Sequence, residues 1–198
     1  MYKNAGNTNR IFYFIAVIVE ILVGRSSAEE SRSAVEWAKK GVEAYHKGQF
    51  KEAVEYYDRA IELDREYSAV YNNRGLARLR LKDYEVAEKD FFKVLELNPN
   101  DIEARVNLGN LEIKRDHPRR AISYLSKAIE IKPNTYQAYD NRGLAFMDSG
   151  EPGKAVMDFK KALSINPAHA STYNNYALLL ASYPKEEYRD GQKALEYA

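Results

Sequence analysis

A period of 34 residues constrains the fold of this chain more than any other feature. A glycine opens each copy of the repeated pattern and an alanine follows it twelve residues later: Gly41, Gly75, Gly109 and Gly143 are followed by Ala53, Ala87, Ala121 and Ala155. A unit of this length holds two helices and a turn, and it buries its apolar face only by stacking on its neighbours. The period therefore predicts a helical repeat protein that presents an extended surface to a partner.

The repeat divides the chain into windows that align without a gap. Four complete windows cover residues 34–67, 68–101, 102–135 and 136–169, and a fifth begins at Ala170. Turn-forming residues such as Gly48 and Gly150 lie in the middle of the windows, and Pro118 and Pro152 fit the first turn of a second helix. Three windows end near a proline, which pushes the preceding residue out of the helical region. Each window is therefore predicted to be helix, turn, helix.

The residues at fixed positions of the windows resemble the tetratricopeptide repeat. The matching residues are Trp37, Gly41, Ala53, Tyr57, Ala60, Tyr71, Gly75, Tyr84, Ala87, Phe91, Pro99, Leu108, Gly109, Ala121, Ala128, Pro133, Tyr139, Gly143, Ala155, Phe159, Ala162 and Pro167. The resemblance covers roughly residues 34–183. It implies an all-α, right-handed superhelical solenoid of antiparallel helix pairs. It also implies a scaffold for protein–protein interaction that holds extended peptide segments in a concave groove.

The two ends of the chain lie outside the four complete windows. Residues 1–28 contain Lys3 and Arg10, an apolar run from Ile11 to Val23 and the small residues Ser26-Ser27-Ala28, a pattern typical of a secretory signal. An uncleaved membrane anchor through residues 11–23 is the alternative, and residues 29–33 form a short linker. The expected location is therefore the periplasm or the medium, or the membrane if the segment is retained.

The last residues are expected to be an incomplete repeat. The first helix of a fifth repeat extends the array to residue 182, and residues 183–198 begin a second helix that stops early. A solenoid normally ends in a polar capping helix. Either the chain is a fragment of a longer protein, or its exposed C-terminal end packs on a partner or on another copy of itself.

Composition and motifs give no sign of catalysis. The chain has no cysteine, a formal net charge of +1 and three histidines, at unrelated positions of the repeat. No residues stand at metal-ligand spacing and no nucleophile motif is present. We therefore expect a protein that is not an enzyme, binds no cofactor, metal or nucleic acid, and has a protein or peptide as its partner.

One row of polar residues is a candidate ligand-binding surface. Asparagine occupies the sixth position of windows two to five (Asn73, Asn107, Asn141 and Asn175), and Lys39 occupies that position in window one. In the family this position faces the groove. An amide both donates and accepts, so such a ladder can hold a peptide backbone without reading its sequence, or can bond the neighbouring repeat. Arg80, Asn110 and Lys114 complete the predicted groove.

A covariation within the sequence points to ion pairs. Arg74 and Arg142 precede the glycine in windows two and four, and only these windows carry an aspartate sixteen residues later, Asp90 and Asp158. Facing helices of one unit would bring them together as structural ion pairs. The alternative is that both arginines reach into the groove as ligand anchors.

The sequence favours an adaptor that binds extended segments of envelope proteins. Two other functions stay open. The repeats could recruit substrates for a catalytic domain beyond Ala198, or they could form a membrane-anchored assembly factor.

Overall fold

The computed structural model describes residues 33–182, and within this range the chain forms nine helices and no strand. They are α1 (33–46), α2 (Phe50–Leu63), α3 (Ser68–Leu81), α4 (Tyr84–Leu97), α5 (Ile102–Lys114), α6 (Pro118–Ile131), α7 (Tyr136–Asp148), α8 (Pro152–Ile165) and α9 (Ala170–Ser182). The prediction of an all-α repeat of helix pairs is confirmed. The predicted signal or anchor, residues 29–32 of the linker and residues 183–198 lie outside the described residues.

The turn inside each complete repeat has the same geometry. The fifteenth residue of each repeat takes a left-handed backbone conformation, with φ of 77° at Gly48, 66° at Lys82, 61° at Asp116 and 73° at Gly150. The amide after it bonds a carbonyl five residues back, as in Gln49 N to Ala44 O at 2.9 Å. The four turns share this pair of features, which is the Schellman motif that satisfies the last carbonyls of a helix.

The described residues belong to two compact units, one up to Ala77 and one from Arg78. The core of the first unit gathers small residues from both helices of its first pair around the buried ring of Tyr57. In the second unit one core surrounds Leu125 and another surrounds Phe159. Each large side chain therefore belongs to a second helix and fills the centre of a repeat.

The repeated glycines allow this close packing. A Cβ atom built on Gly109 would lie 2.5 Å from Cγ of Leu125, and one built on Gly143 would lie 2.6 Å from Cε1 of Phe159. Real Cβ atoms do not approach so closely, so glycine is required where the first helix crosses the large residue of the second. No helix within residues 33–182 has the length and apolar character needed to cross a membrane.

Candidate peptide-binding surface

The structure places every predicted groove residue on the first helix of a pair. Lys39 lies on α1, Asn73 and Arg80 lie on α3, Asn107, Asn110 and Lys114 lie on α5, Asn141 lies on α7, and Asn175 lies on α9. The three cationic side chains are exposed and the five asparagines are half-buried. First helices therefore carry both exposed cationic side chains and half-buried amides.

A hollow of about 370 Å³ lies between α1 and α3 in the first unit. We call it hollow 1. Its lining is mostly apolar and includes the polar groups of Lys39, Glu43 and Asn73. The lining residues are Val35, Ala38, Lys39, Val42, Glu43, Tyr67, Ala69, Val70 and Asn73. The volume falls in the range of roughly 300 to 1,000 Å³ that ligand pockets occupy. Hollow 1 is thus suited to an aliphatic side chain with polar groups beside it.

A second hollow, of about 390 Å³, lies between α5 and α7 in the second unit. We call it hollow 2, and it is lined by Ile102, Glu103, Val106, Asn107, Lys132, Thr135 and Gln137. Val106 has the repeat position of Ala38, and Thr135 has that of Tyr67. The two hollows therefore occupy equivalent places, one between repeats one and two and the other between repeats three and four. Hollow 2 is the more polar, because glutamate and glutamine replace valine and alanine in its lining.

The asparagines of the ladder differ in how they are bonded. Asn175 Nδ2 donates to Oδ1 of Asp140 at 3.2 Å, which links the fifth repeat to the fourth. Asn107 also has an interaction within the protein. The amides of Asn73 and Asn141 have no hydrogen-bond partner among residues 33–182. Of the two roles considered for the ladder, bonding to the neighbouring repeat therefore describes Asn175.

Arg74 and Arg142, which precede the repeat glycine, bind carboxylates on second helices. Arg142 donates to Asp158 through Nε and Nη2, at 2.7 and 2.9 Å, and donates to Oγ of Ser126 at 3.0 Å. The hydrogen bonds with Asp158 raise the pKa of Arg142. Arg74 donates to Asp58 at 2.5 Å. Asp58 occupies the same repeat position as Ser126. Both guanidinium groups thus lie among second-helix side chains.

Asp90 is bonded by an arginine that the sequence did not single out. Arg78 Nη1 donates to Asp90 Oδ2 at 2.7 Å, and the aspartate side chain is only 4% exposed. The pairing of Arg74 with Asp90 stays a prediction. Arg78 occupies the eleventh position of its repeat. Alanine occupies that position in repeat one, so the repeat pattern did not predict an arginine that binds Asp90.

A buried carboxylate in the third repeat also escaped the sequence analysis. Glu112 is fully buried, and its oxygens lie 3.3 Å from Nη1 of Arg115, 3.0 Å from Nδ1 of His117 and 3.4 Å from Nε of Arg120. Arg115 and Arg120 both reach Glu88 as well. These five side chains form a charged network that joins α4, α5 and α6. The ring of His117, one of the three histidines at unrelated positions of the repeat, is half-exposed and lies within hydrogen-bond distance of Glu112.

Stacked helix pairs with a fixed turn, a crossing glycine and polar first-helix faces define a repeat adaptor. The tetratricopeptide repeat profile matches residues 39–102, 102–135 and 136–169. The chain therefore belongs to the tetratricopeptide repeat family.

Similar proteins agree with this assignment. The chain is 35% identical over 104 residues to human sperm-associated antigen 1, a match that covers 52% of this chain and 11% of that protein. The chain thus spans about a tenth of the length of this curated relative. Among solved structures, MamA superimposes with a TM-score of 0.66 at 26% identity, covering 79% of this chain and 93% of that one. YrrB, described as a tetratricopeptide repeat protein with an unusual peptide-binding site, gives 0.60 at 25% identity and covers 85% of both chains.

Proposed function

We propose that this protein is an adaptor that binds extended peptide segments of other proteins on its first-helix surfaces. The observation that carries the proposal is hollow 1, where apolar walls meet the polar groups of Lys39, Glu43 and Asn73. Asn73 and Lys39 line it, and neither side chain has a partner among the described residues. A bound peptide would place an aliphatic side chain between the helices, its backbone against the Asn73 amide and a carboxylate near Lys39.

Two further observations support this function. Hollow 2 lies at the equivalent place in the second unit, with Asn107 in the repeat position of Lys39, and it offers a place for a peptide side chain there. The 25% identical YrrB structure is described by its peptide-binding site. Main-chain hydrogen bonds and pockets for side chains are what hold an extended peptide, and this surface offers both kinds of contact.

The proposal is tested by blocking the hollows. Peptides are selected against the wild-type protein from a random library of twelve-residue segments, and their dissociation constants are measured by fluorescence anisotropy. V42R fills hollow 1 and V106R fills hollow 2, while M157R adds the same side chain at a residue of α8 that is 71% exposed. We expect V42R or V106R to weaken binding at least tenfold and M157R to leave it unchanged. Selection of no peptide, or binding insensitive to both hollow variants, contradicts the proposal.

The protein is further proposed to act in the cell envelope or outside the cell. The support is the sequence alone, in which two basic residues, the apolar run 11–23 and small residues up to Ala28 follow in the order of a secretory signal. Mass spectrometry of the protein purified from its native host tests this location. A mature N-terminus at Glu29 is the expected result, retention of residues 11–23 in a membrane fraction supports the anchored form, and an intact N-terminus in a cytosolic fraction contradicts both.

A further inference from the structure

A third hollow, of about 450 Å³, lies in the second unit between the start of α6 and the end of α7. We call it hollow 3, and it is lined by His117, Pro118, Arg119, Arg120, Asp148 and Ser149. None of these residues lines hollow 1 or hollow 2. Hollow 3 is therefore a separate feature, formed where the turns of the third and fourth repeats adjoin.

An ion pair joins the corresponding turns one repeat earlier. Arg115, at the fourteenth position of repeat three, reaches back to repeat two, where its guanidinium lies 3.5 Å from Glu85 and 2.7 Å from Glu88. In repeat four the fourteenth position is Ser149, whose side chain is short, and Arg119 has the repeat position of Glu85. At hollow 3 the long bridging side chain is therefore replaced by a serine, and the group that faces it has the opposite charge.

Two polar groups of hollow 3 have no partner among residues 33–182. The Oγ atom of Ser149 is buried and makes no hydrogen bond, and the exposed guanidinium of Arg119 has no carboxylate beside it. His117 and Arg120, in contrast, both contact Glu112. A buried hydroxyl is costly to leave unsatisfied, so a ligand that bonds Ser149 and neutralises Arg119 gains free energy from both contacts.

We infer that hollow 3 binds a glutamate side chain of a partner protein. Its carboxylate takes the place that Glu85 has beside Arg115 one repeat earlier: it pairs with Arg119 and accepts a hydrogen bond from the hydroxyl of Ser149. The positive end of the α6 dipole adds to this attraction. The site goes beyond the proposed function, because it does not involve the first-helix hollows and binds a side chain of defined charge.

The lining favours a singly charged group on an aliphatic stem. Pro118 and the methylene groups of the arginines supply apolar surface for the stem. Asp148 also lines the hollow, and partial burial and the carboxylate of Asp116 raise the pKa of Asp148. These surroundings already disfavour negative charge, and Coulomb repulsion of a dianion such as phosphate is twice that of a carboxylate. Glutamate meets both requirements.

The test uses a capped peptide of consecutive glutamates between glycines, and the same peptide with glutamines. Each is titrated into ¹⁵N-labelled protein at low ionic strength, and the backbone amides of Arg119, Arg120 and Ser149 are followed by NMR. We expect the glutamate peptide to cause saturable shifts at these amides and the glutamine peptide to cause none. The spectra also report whether each variant is folded.

Four variants then separate the contacts. We expect R119Q to weaken binding of the glutamate peptide at least about tenfold, and S149A about three- to tenfold. D148N should strengthen binding about twofold or more, because it removes a repelling charge from the lining. K160Q removes the same charge as R119Q at an exposed position of α8, and it should change the dissociation constant by less than about twofold.

Several results would overturn the inference. Absence of saturable shifts excludes the site, and equal weakening by R119Q and K160Q means that the peptide is attracted by net charge alone. An unchanged affinity of S149A shows that the carboxylate does not reach the hydroxyl. Inorganic phosphate that displaces the peptide at a lower concentration than free glutamate does assigns the hollow to another anion. Binding that is lost in V106R and kept in R119Q places the peptide in hollow 2, which leaves the proposed function standing.

Discussion

Arg142 and Asp158 are joined by two hydrogen bonds, from Nε to Oδ2 at 2.7 Å and from Nη2 to Oδ1 at 2.9 Å. Their side chains are 19% and 8% exposed. The remaining guanidinium nitrogen donates to Ser126 on the second helix of the preceding repeat. One arginine on α7 therefore holds α8 within its own repeat and α6 across the repeat boundary.

This pair is expected to contribute strongly to stability. Removing one partner leaves the other charge poorly solvated, so R142M and D158N should each lower the free energy of unfolding by about 2 to 4 kcal/mol. In a double-mutant cycle measured by urea unfolding, the coupling energy should be about 1.5 to 3 kcal/mol. The exposed pair Lys127 and Glu130 serves as the control and should couple by less than about 0.5 kcal/mol. A coupling energy near zero for Arg142 and Asp158 contradicts their structural role.

A methyl group at Gly143 should destabilise the fourth repeat. The added Cβ would meet the ring of Phe159 at 2.6 Å, and overpacking of this kind costs about 1 to 3 kcal/mol in the free energy of unfolding. The matched control is S123A, at an exposed position of α6, which should change stability by less than about 0.5 kcal/mol. An unchanged G143A would mean that the helices can move apart without cost.

Loss of charge at Glu112 should weaken the junction of α4, α5 and α6. E112Q keeps the shape of the side chain but removes the carboxylate that faces Arg115, Arg120 and His117, and hydrogen bonds to charged groups are each worth about 1.5 to 3 kcal/mol. We expect a loss of about 2 kcal/mol, since Glu88 still binds both arginines. E130Q, at an exposed position of α6, is the control. Equal and small effects of the two substitutions would show that the buried network adds no stability.

The stability of the second unit should respond to the charge of Asp148. Partial burial and the carboxylate of Asp116 raise the pKa of Asp148. Because the folded-state pKa is above that of the unfolded chain, ionisation opposes folding: stability falls as pH rises through the interval between the two values and stays lower above it. D148N should therefore raise the melting temperature at pH 7, and the gain should disappear below about pH 4. A gain that persists at low pH would have a cause other than charge.

Particular residues show how far the sequence could predict this structure. Spacing alone identified the helix pairs, because the glycine and the alanine twelve residues after it recur in every complete repeat. Covariation pointed to Arg142 and Asp158 as partners, since windows two and four carry both the arginine and the aspartate and the other two complete windows carry neither. Glu112 gave no such signal, because its network involves residues that occur in one repeat only. The bond of Asn175 could not be predicted from the repeat pattern, because an aspartate occupies the fifth position only in repeat four, at Asp140.

The central claim, that peptides bind the first-helix surfaces through free amides, is tested most directly by NMR of the asparagine side chains. Spectra of ¹⁵N-labelled protein are recorded with and without the selected peptide, and the resonances of Asn73, Asn141 and Asn175 are assigned from single substitutions to glutamine. Asn134, exposed at the end of the third repeat, is the reference. We predict shifts of the Asn141 or Asn73 side-chain amide on saturation and none for Asn175 or Asn134. Saturable binding that leaves Asn73 and Asn141 unshifted would place the ligand on another surface and contradict this account.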